Sequence, residues 1–364
     1  MNNVEQKEFT KALLKWFRGH ARILPWREDP APYKVWISEI MLQQTRVAQV
    51  MPYFNRFIKR FPDVPALAKA KEDELLKAWE GLGYYSRVRN LNKAAIKIMA
   101  DYDGKIPQDY DELLKLPGIG EYTAGAISSI AYNQARPAID GNVLRVFSRV
   151  LAEDGYITDA VVKKRIEKNV SECLPKDYPG VYNQSLMELG ALICLPNGEP
   201  KCSECPVNGV CKAYKLHRMT DFPVKPPKKA RTIEEKTILI LQDAQYIAIR
   251  KRPDKGLLAG MYEFPAMEGI HTEEQVLEYV KKMGFAPLHI KALCKAKHVF
   301  THKEWHMVGY AIKVDELTQH SKADEDNALL FVEPEKTQQE YPIPAAYEAY
   351  ADYYHIKLGN ARFE

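Results

Sequence analysis

The sequence predicts two domains of different class: a mainly α domain over residues 1–220 and a smaller α+β domain over 237–364, joined by a linker at 221–236. Three observations predict it. Apolar residues recur at helical spacing through the first part. Proline and basic residues then crowd 221–231 without any period, from Asp221 to Arg231. Short β-rich runs bounded by turn residues follow.

A chain of 364 residues with 46% hydrophobic and 27% charged residues can bury two cores and is not disordered. The net charge of +4 permits a nucleic-acid partner without demanding one, because a local basic face matters more than the total. No apolar run approaches the roughly 18 residues that span a bilayer, and Met1 to Thr10 lacks the apolar core of a signal peptide. A cytoplasmic protein with no membrane partner is therefore expected.

Phe9, Leu13, Trp16 and Phe17 lie at helical spacing, as do Leu75, Leu76, Trp79 and Leu82. Pro62, Pro65, Gly81, Gly83 and Gly104 cut the segment into short helices. The basic linker can ride along a phosphate backbone or stay solvated. Beyond it, residues 237–241 and 246–250 read as a hairpin and Thr272–Met283 as a helix. Strands are expected near 295–300 and 304–314, and a last helix over Ala345–Tyr354. No internal repeat is present.

Four of the six cysteines crowd together: Cys194, Cys202, Cys205 and Cys211, spaced C-x7-C-x2-C-x5-C. Such a set holds tetrahedral zinc or a cubane iron–sulfur cluster, and only Cys202 and Cys205 form the close pair usual for zinc. Cys173 and Cys294 are isolated and read as structural.

Residues 113–127 read as helix, tight turn, helix: Pro117 ends the first helix, and Gly118 and Gly120 allow the turn. The second helix then begins with unpaired N–H groups suited to a phosphate. An ordinary helical corner would show the same bare G-x-G. Two carboxylates also stand out. Glu39 is flanked by Trp36, Ile37, Ile40 and Met41, so burial should raise its pKa and keep it protonated as a general acid requires. A solvated helix face is the bland alternative. Asp140 in Ile139-Asp-Gly-Asn-Val143 is, taken alone, a turn or helix cap.

The segments I-S-E-I-M-L-Q-Q-T (37–45), G-L-G-Y-Y-S-R (81–87), L-P-G-I-G-x-Y-T-A (116–124) and I-D-G-N-V (139–143) resemble, in order, those of the MutY-type adenine DNA glycosylases. These belong to the endonuclease III superfamily of helix–hairpin–helix enzymes. The resemblance runs over residues 8–220 and continues more weakly to the C-terminus. It implies a helix–hairpin–helix glycosylase core whose cysteine loop holds a 4Fe-4S cluster. The family usually has six residues in the first cysteine gap where this chain has seven, beside Pro196, Gly198 and Pro200.

The resemblance also implies roles. Protonated Glu39 gives a proton to N7 of adenine, ionised Asp140 stabilises the cation-like sugar, and Glu39 then positions water; Tyr122 and Asn142 orient these groups. Tyr122 stands where bifunctional relatives carry a Schiff-base lysine, so base removal without strand cleavage is expected. Arg22, Trp26, Leu42 and Gln184 would surround the extruded base, and Gln184 can both donate to and accept from its edge. Gln44 and Tyr84 would wedge into the stack. Gly118 and Gly120 would hold backbone phosphate.

In the second domain, residues 256–265 resemble the opening of a Nudix box, but the helix after it lacks the R-E-x-x-E-E pattern that binds metal pyrophosphate. A Nudix-like fold without hydrolysis is implied, used by this family to recognise 8-oxoguanine. Its loop here is Phe300, Thr301 and His302, with Thr301 where the family often has Ser. His298, His302 and His306 read as surface or DNA-contacting. The expected partner is double-stranded DNA with adenine opposite 8-oxoguanine or guanine, bound by a monomer. Three other readings fit parts of the chain. An endonuclease III-like pyrimidine-lesion glycosylase/lyase is opposed by Tyr122 and the second domain. An inert lesion-binding protein is opposed by the retention of Glu39 and Asp140, and a Nudix hydrolase by the missing acidic helix.

Overall fold

The computed structural model describes residues 1–227, 230–317 and 329–359. Residues 228–229 of the predicted linker, and 318–328 and 360–364 of the predicted second domain, lie outside the described residues. The chain forms two compact units, Met1–Lys69 with Asn90–Lys228 and Ala70–Arg89 with Lys229–Glu364.

The first unit is helical. Its elements are α1 (Asn3–His20), α2 (Pro25–Glu28), α3 (Pro32–Leu42), α4 (Val47–Arg60) and α5 (Val64–Lys69). Later come α8 (Tyr110–Leu114), α9 (Glu121–Ala126) with a π-helical continuation Ile127–Ala131, α10 (Gly141–Leu151), α11 (Ala160–Cys173), α12 (Pro179–Leu192) and α13 (Lys212–Lys215). Of the two intervening helices, α6 (Glu72–Trp79) lies in the second unit and α7 (Ser86–Asp101) belongs partly to each. Phe9, Leu13 and Phe17 repeat every four residues on α1, which turns one apolar stripe inward. That stripe packs with Val146 and Val150 of α10, Ile166 and Val170 of α11, and Leu186 and Leu189 of α12. Helix α3 is different, because every residue from Val35 to Met41 is buried, Glu39 included. A helix so buried carries its polar groups out of bulk water with it.

Among the described residues, the second unit is built on an eight-stranded sheet of β1 (Thr232–Gln242), β2 (Ile247–Lys251), β3 (Tyr262–Glu263), β4 (Ala266–Glu268), β5 (Pro287–Ala292), β6 (Ala296–Val299), β7 (Lys303–Val314) and β8 (Leu329–Val332). The path β3-β2-β1-β7-β5 is extended by β4 on β1, β6 on β7 and β8 on β2. Helix α14 (Glu273–Lys282) starts at a capping box in which Thr272 and Gln275 satisfy each other's backbone N–H groups. The unbroken apolar run 238–241 is explained by burial on both faces. Ile238 and Ile240 enter one core with Trp305 and Tyr347, while Leu239 and Leu241 enter another with Val276, Val280 and Ile312.

Three local expectations change. Strand β1 begins at Thr232, inside the segment read as linker, because it pairs in parallel with β7 from Thr232 opposite Lys303 onward. Glu234 reinforces that pairing by taking a hydrogen bond from the Trp305 indole at 2.9 Å and an ion pair from Lys303. The first hairpin helix stops at Leu114 rather than at Pro117, since Leu116 precedes a proline and is disfavoured in helix. The last helix is broken into 3-10 turns at Ala345–Tyr347 and Asp352–Tyr354 around a short α15 (Glu348–Ala351). There Tyr350 presses on β7 so closely that a Cβ on Gly309 would stand 2.2 Å from its ring. Among the described residues, no helix is long and apolar enough to cross a membrane.

The contact division also differs from a cut at residue 220, because Ala70–Arg89 joins the second unit. A buried ion pair explains it. Lys77 on α6 lies 3.1 Å from Glu80 and donates to the carbonyls of Thr337 (2.7 Å) and Tyr341 (3.1 Å). Glu80 accepts from the N–H groups of Ile343 (2.8 Å) and Gly359 (3.2 Å). Every group in this knot meets an opposite partner, so removing one strands the others. Glu80→Ala should therefore destabilise the full chain by about 3 kcal/mol or more, and Glu80→Gln, which keeps an acceptor, by less. Chemical denaturation followed by circular dichroism measures both.

Candidate active site

Helix α3 delivers Glu39 to one wall of a pocket of about 1070 Å³. The same pocket is lined by Arg22, Trp26, Leu42, Gln44, Tyr122, Asp140, Asn142 and Gln184, all expected from the sequence. Tyr122, on the first turn of α9, donates a hydrogen bond to Glu39 Oε2. Asp140 caps α10, accepting from the Val143 N–H at 2.7 Å and from the Asn142 amide at 2.6 Å. The cap reading and the functional reading are thus not rivals. Capping is what holds this carboxylate rigidly at the pocket.

The two carboxyls are distinguished by their surroundings. Burial, the dominant cause, pushes Glu39 up to about 7. The Tyr122 hydrogen bond and Arg27 pull it down, and the charge of Asp140 adds to the rise. Burial also lifts Asp140 above the ordinary aspartate range, but its hydrogen bonds from Val143 and Asn142 oppose the rise and favour the ionised form. Burial lifts Tyr122 well above the usual phenol, so it stays a donor. The arrangement offers a protonated acid and a hydrogen-bonded carboxylate in one cleft.

Sequence reasoning missed Arg27 and Glu188. Glu188 Oε1 accepts from the Arg22 backbone N–H (2.9 Å) and from Nε (2.8 Å), and Oε2 accepts from Arg22 Nη2 (2.7 Å) and Arg27 Nη2 (2.9 Å). Arg22, expected beside the base, is therefore already engaged. The available signal was spacing: Glu188 follows Gln184 by one helical turn on α12 and shares its face. Arg145 continues the polar wall, donating to Asn142 Oδ1 at 2.9 Å and to the carbonyls of Cys194 and Gly190, each at 2.8 Å.

The hairpin glycines do not line this pocket. Gly118 has φ +77°, and a Cβ there would stand 2.7 Å from the Asn90 Cβ, so the turn needs glycine. Gly120 is the N-cap of α9, where no side chain covers the first N–H groups. The remaining expected residues lie in the second unit. Tyr84, 46% exposed, reaches the Thr301 hydroxyl at 2.9 Å. Phe300 and His302 flank Thr301 in the β6–β7 turn, which the Phe300 N–H closes on the Lys303 carbonyl at 2.8 Å. Gln44 (φ 56°) and Tyr84 (φ 48°) both hold a left-handed backbone that side chains seldom adopt.

All four cysteines of the cluster line one small cavity, walled by Val146, Val150, Leu189 and Ile193. Arg149 Nη1 stands 3.2 Å from Cys194 Sγ. Burial raises the thiols of Cys202 and Cys211 and pushes Cys205 up to about 12. Such thiols become ligands only against a strongly cationic centre. Among the described residues no group of three or more His, Cys, Asp or Glu is arranged to hold a metal ion. The donor set is all sulfur, which suits a cluster.

The first unit matches the helix–hairpin–helix superfamily of base-excision DNA repair proteins over residues 37–172, and residues 237–353 match the NUDIX domain family. In structure, the chain is similar to a thermostable thymine-DNA glycosylase (TM-score 0.54, 27% identity, 59% of this chain and 98% of that one). It shares its fold with endonuclease III bound to DNA (TM-score 0.52, 24% identity, 60% and 98%). Among curated sequences it is 37% identical to the adenine DNA glycosylase of Buchnera aphidicola subsp. Baizongia pistaciae, over 81% of this chain and 83% of that one. It is 32% identical to the adenine DNA glycosylase of Homo sapiens, over 82% and 65%. With an acid, a carboxylate and a tyrosine in one pocket, a glycine hairpin, and a Nudix-like second unit, this chain belongs to the adenine DNA glycosylase family.

Proposed function

We propose that this protein excises adenine paired with 8-oxoguanine or guanine in double-stranded DNA, as a monofunctional hydrolase. The single observation that carries the reading is the Glu39–Tyr122 hydrogen bond inside a pocket that also holds Asp140. Glu39, protonated near neutrality, delivers its proton to N7 of the extruded base and lowers the charge on the leaving group. Asp140 faces the sugar and stabilises its developing positive charge. Glu39, now ionised, orients the water. Tyr122 donates to Glu39 throughout and, lacking an amine, forms no imine with the sugar, so the strand is not cut.

Arg22, Trp26, Leu42 and Gln184 make the base pocket, and the Gly118–Gly120 turn takes a phosphate on its free N–H groups. Gln44 and Tyr84 wedge into the duplex. Their left-handed backbones support this, because such strain is held where a side chain must be aimed. The Tyr84–Thr301 hydrogen bond supports a lesion-reading role for the Phe300–His302 turn. Cys194, Cys202, Cys205 and Cys211 would hold a 4Fe-4S cluster, whose contribution when bound is to cross-link the loop and hold the adjoining backbone. We place the protein as a monomer in the cytoplasm, a compartment suited to its six unpaired cysteines.

The defining test is single-turnover cleavage of a duplex carrying adenine opposite 8-oxoguanine, resolved with and without hot alkali. Wild type should give alkali-dependent breaks, and Glu39→Gln should lose activity by about 10³-fold or more. The wild-type rate should hold below pH 7 and fall tenfold per unit well above it, because the reactive form of Glu39 is the protonated one. Intact adenine, or efficient nicking without alkali, would overturn the reading. Tyr84→Phe and Thr301→Ala should each lower the preference for 8-oxoguanine over guanine about fivefold, the worth of one hydrogen bond of about 1 kcal/mol. An unchanged ratio removes this pair from lesion reading. Iron and acid-labile sulfide should each be found at about four per chain, and a single zinc would replace the cluster assignment.

A further inference from the structure

We infer that Glu188 is a positioning residue for adenine excision: its buried carboxylate fixes Arg22 and Arg27 at the pocket wall and cancels enough of their charge for Glu39 to keep its proton. The inference rests on the adenine-excision reading of the pocket.

Three observations carry it. Glu188 has a side chain only 1% exposed, yet each of its oxygens accepts two hydrogen bonds, one of them from the Arg22 main chain. A carboxylate so placed fixes backbone and guanidinium together, and it fits the fork of an arginine as no neutral side chain does. Next, Arg27 is tied on several sides, to Glu188, to the Arg22 carbonyl at 3.2 Å, and over the Phe17 ring at 5.4 Å. Its position relative to Glu39 is therefore set by Glu188 as much as by its own helix. Lastly, Glu188 is held at about 2 although burial opposes its ionisation, because Arg22 and Arg27 outweigh that cost, so it carries a full negative charge at any working pH.

Arg27 draws Glu39 toward ionisation, whereas burial and Asp140 oppose it. The charged and titratable groups facing Glu39 are Tyr122 from α9, Asp140 from the α10 cap and Arg27 from α2. Arg22, Arg46, Arg145 and Glu188 line the same pocket. With Glu188 present, its two arginines bring a net charge of one. Without it they bring two, in a site too buried for water to screen them. The extra charge favours ionised Glu39, and an ionised Glu39 cannot protonate the base.

The test is the pH profile of single-turnover adenine excision at saturating enzyme, comparing wild type with Glu188→Gln and Arg27→Gln. For Glu188→Gln the falling limb should move down by about one pH unit, so that the deficit against wild type is about sevenfold larger at pH 8 than at pH 5.5, where any loss reports the loosened Arg22. For Arg27→Gln the limb should move up, since a cation is removed while Glu188 keeps Arg22. Thermal melting reports whether each variant folds. If Glu188→Gln does not fold, the Arg27→Gln limb decides alone. Profiles that superpose on wild type, or that drop by one factor at every pH, overturn the inference. If wild type removes no adenine from either mispair, it is the excision reading that fails.

Discussion

Helix α3 is buried from Val35 to Met41, and a carboxyl carried on such a helix meets too little solvent to stabilise its charge. That enclosure is the constraint on which the site depends. It raises Glu39 to the range where a general acid works, and the other pocket residues adjust that value rather than create it. Among the described residues, Tyr122 satisfies the buried Oε2 of Glu39, and its hydrogen bond favours the ionised form against the burial that opposes it. Asp140 solves the opposite problem. It is nearly as enclosed, but the start of α10 and the Asn142 amide offer it donors, and these favour the charged form.

The polar groups of the pocket are linked to the packing beneath them. Arg145 spans from Asn142 to the backbone of Cys194, and Arg149 from Cys194 to the carbonyls of Met219 and Phe222. The cysteine loop and the carboxylate cap thus rest on neighbouring turns of α10. In the second unit the same economy appears around Glu234, Lys303 and Trp305, where one carboxylate closes the start of the long parallel pair β1–β7. The turn that carries Thr301 sits between β6 and β7, and its position is inherited from that pairing.

Glu39, Asp140, Tyr122 and the four cysteines stood out before any fold because each lies in a short segment whose residue order is itself the signal, whereas Gln184 came only through the resemblance. Glu188 and Arg27 did not stand out. Neither lies in a distinctive segment, and a glutamate on an amphipathic helix reads as a solvated face until its burial is known. Arg22 was found by resemblance, but its partner was not, because the two are 166 residues apart in the chain.

The sequence by itself determined the helical first part and the β-rich second part, and it singled out Glu39, Asp140 and the four clustered cysteines. These depend on local periodicity, on turn chemistry and on the order of residues within a few turns. Only the tertiary structure decided that Ala70–Arg89 packs with the second unit, through the buried Lys77–Glu80 pair. It likewise decided that β1 starts at Thr232, that the last helix breaks, and that two arginines share one buried glutamate. Each of these depends on partners far apart in the chain, whose pairing is set by burial and charge compensation in three dimensions and leaves no mark on local sequence.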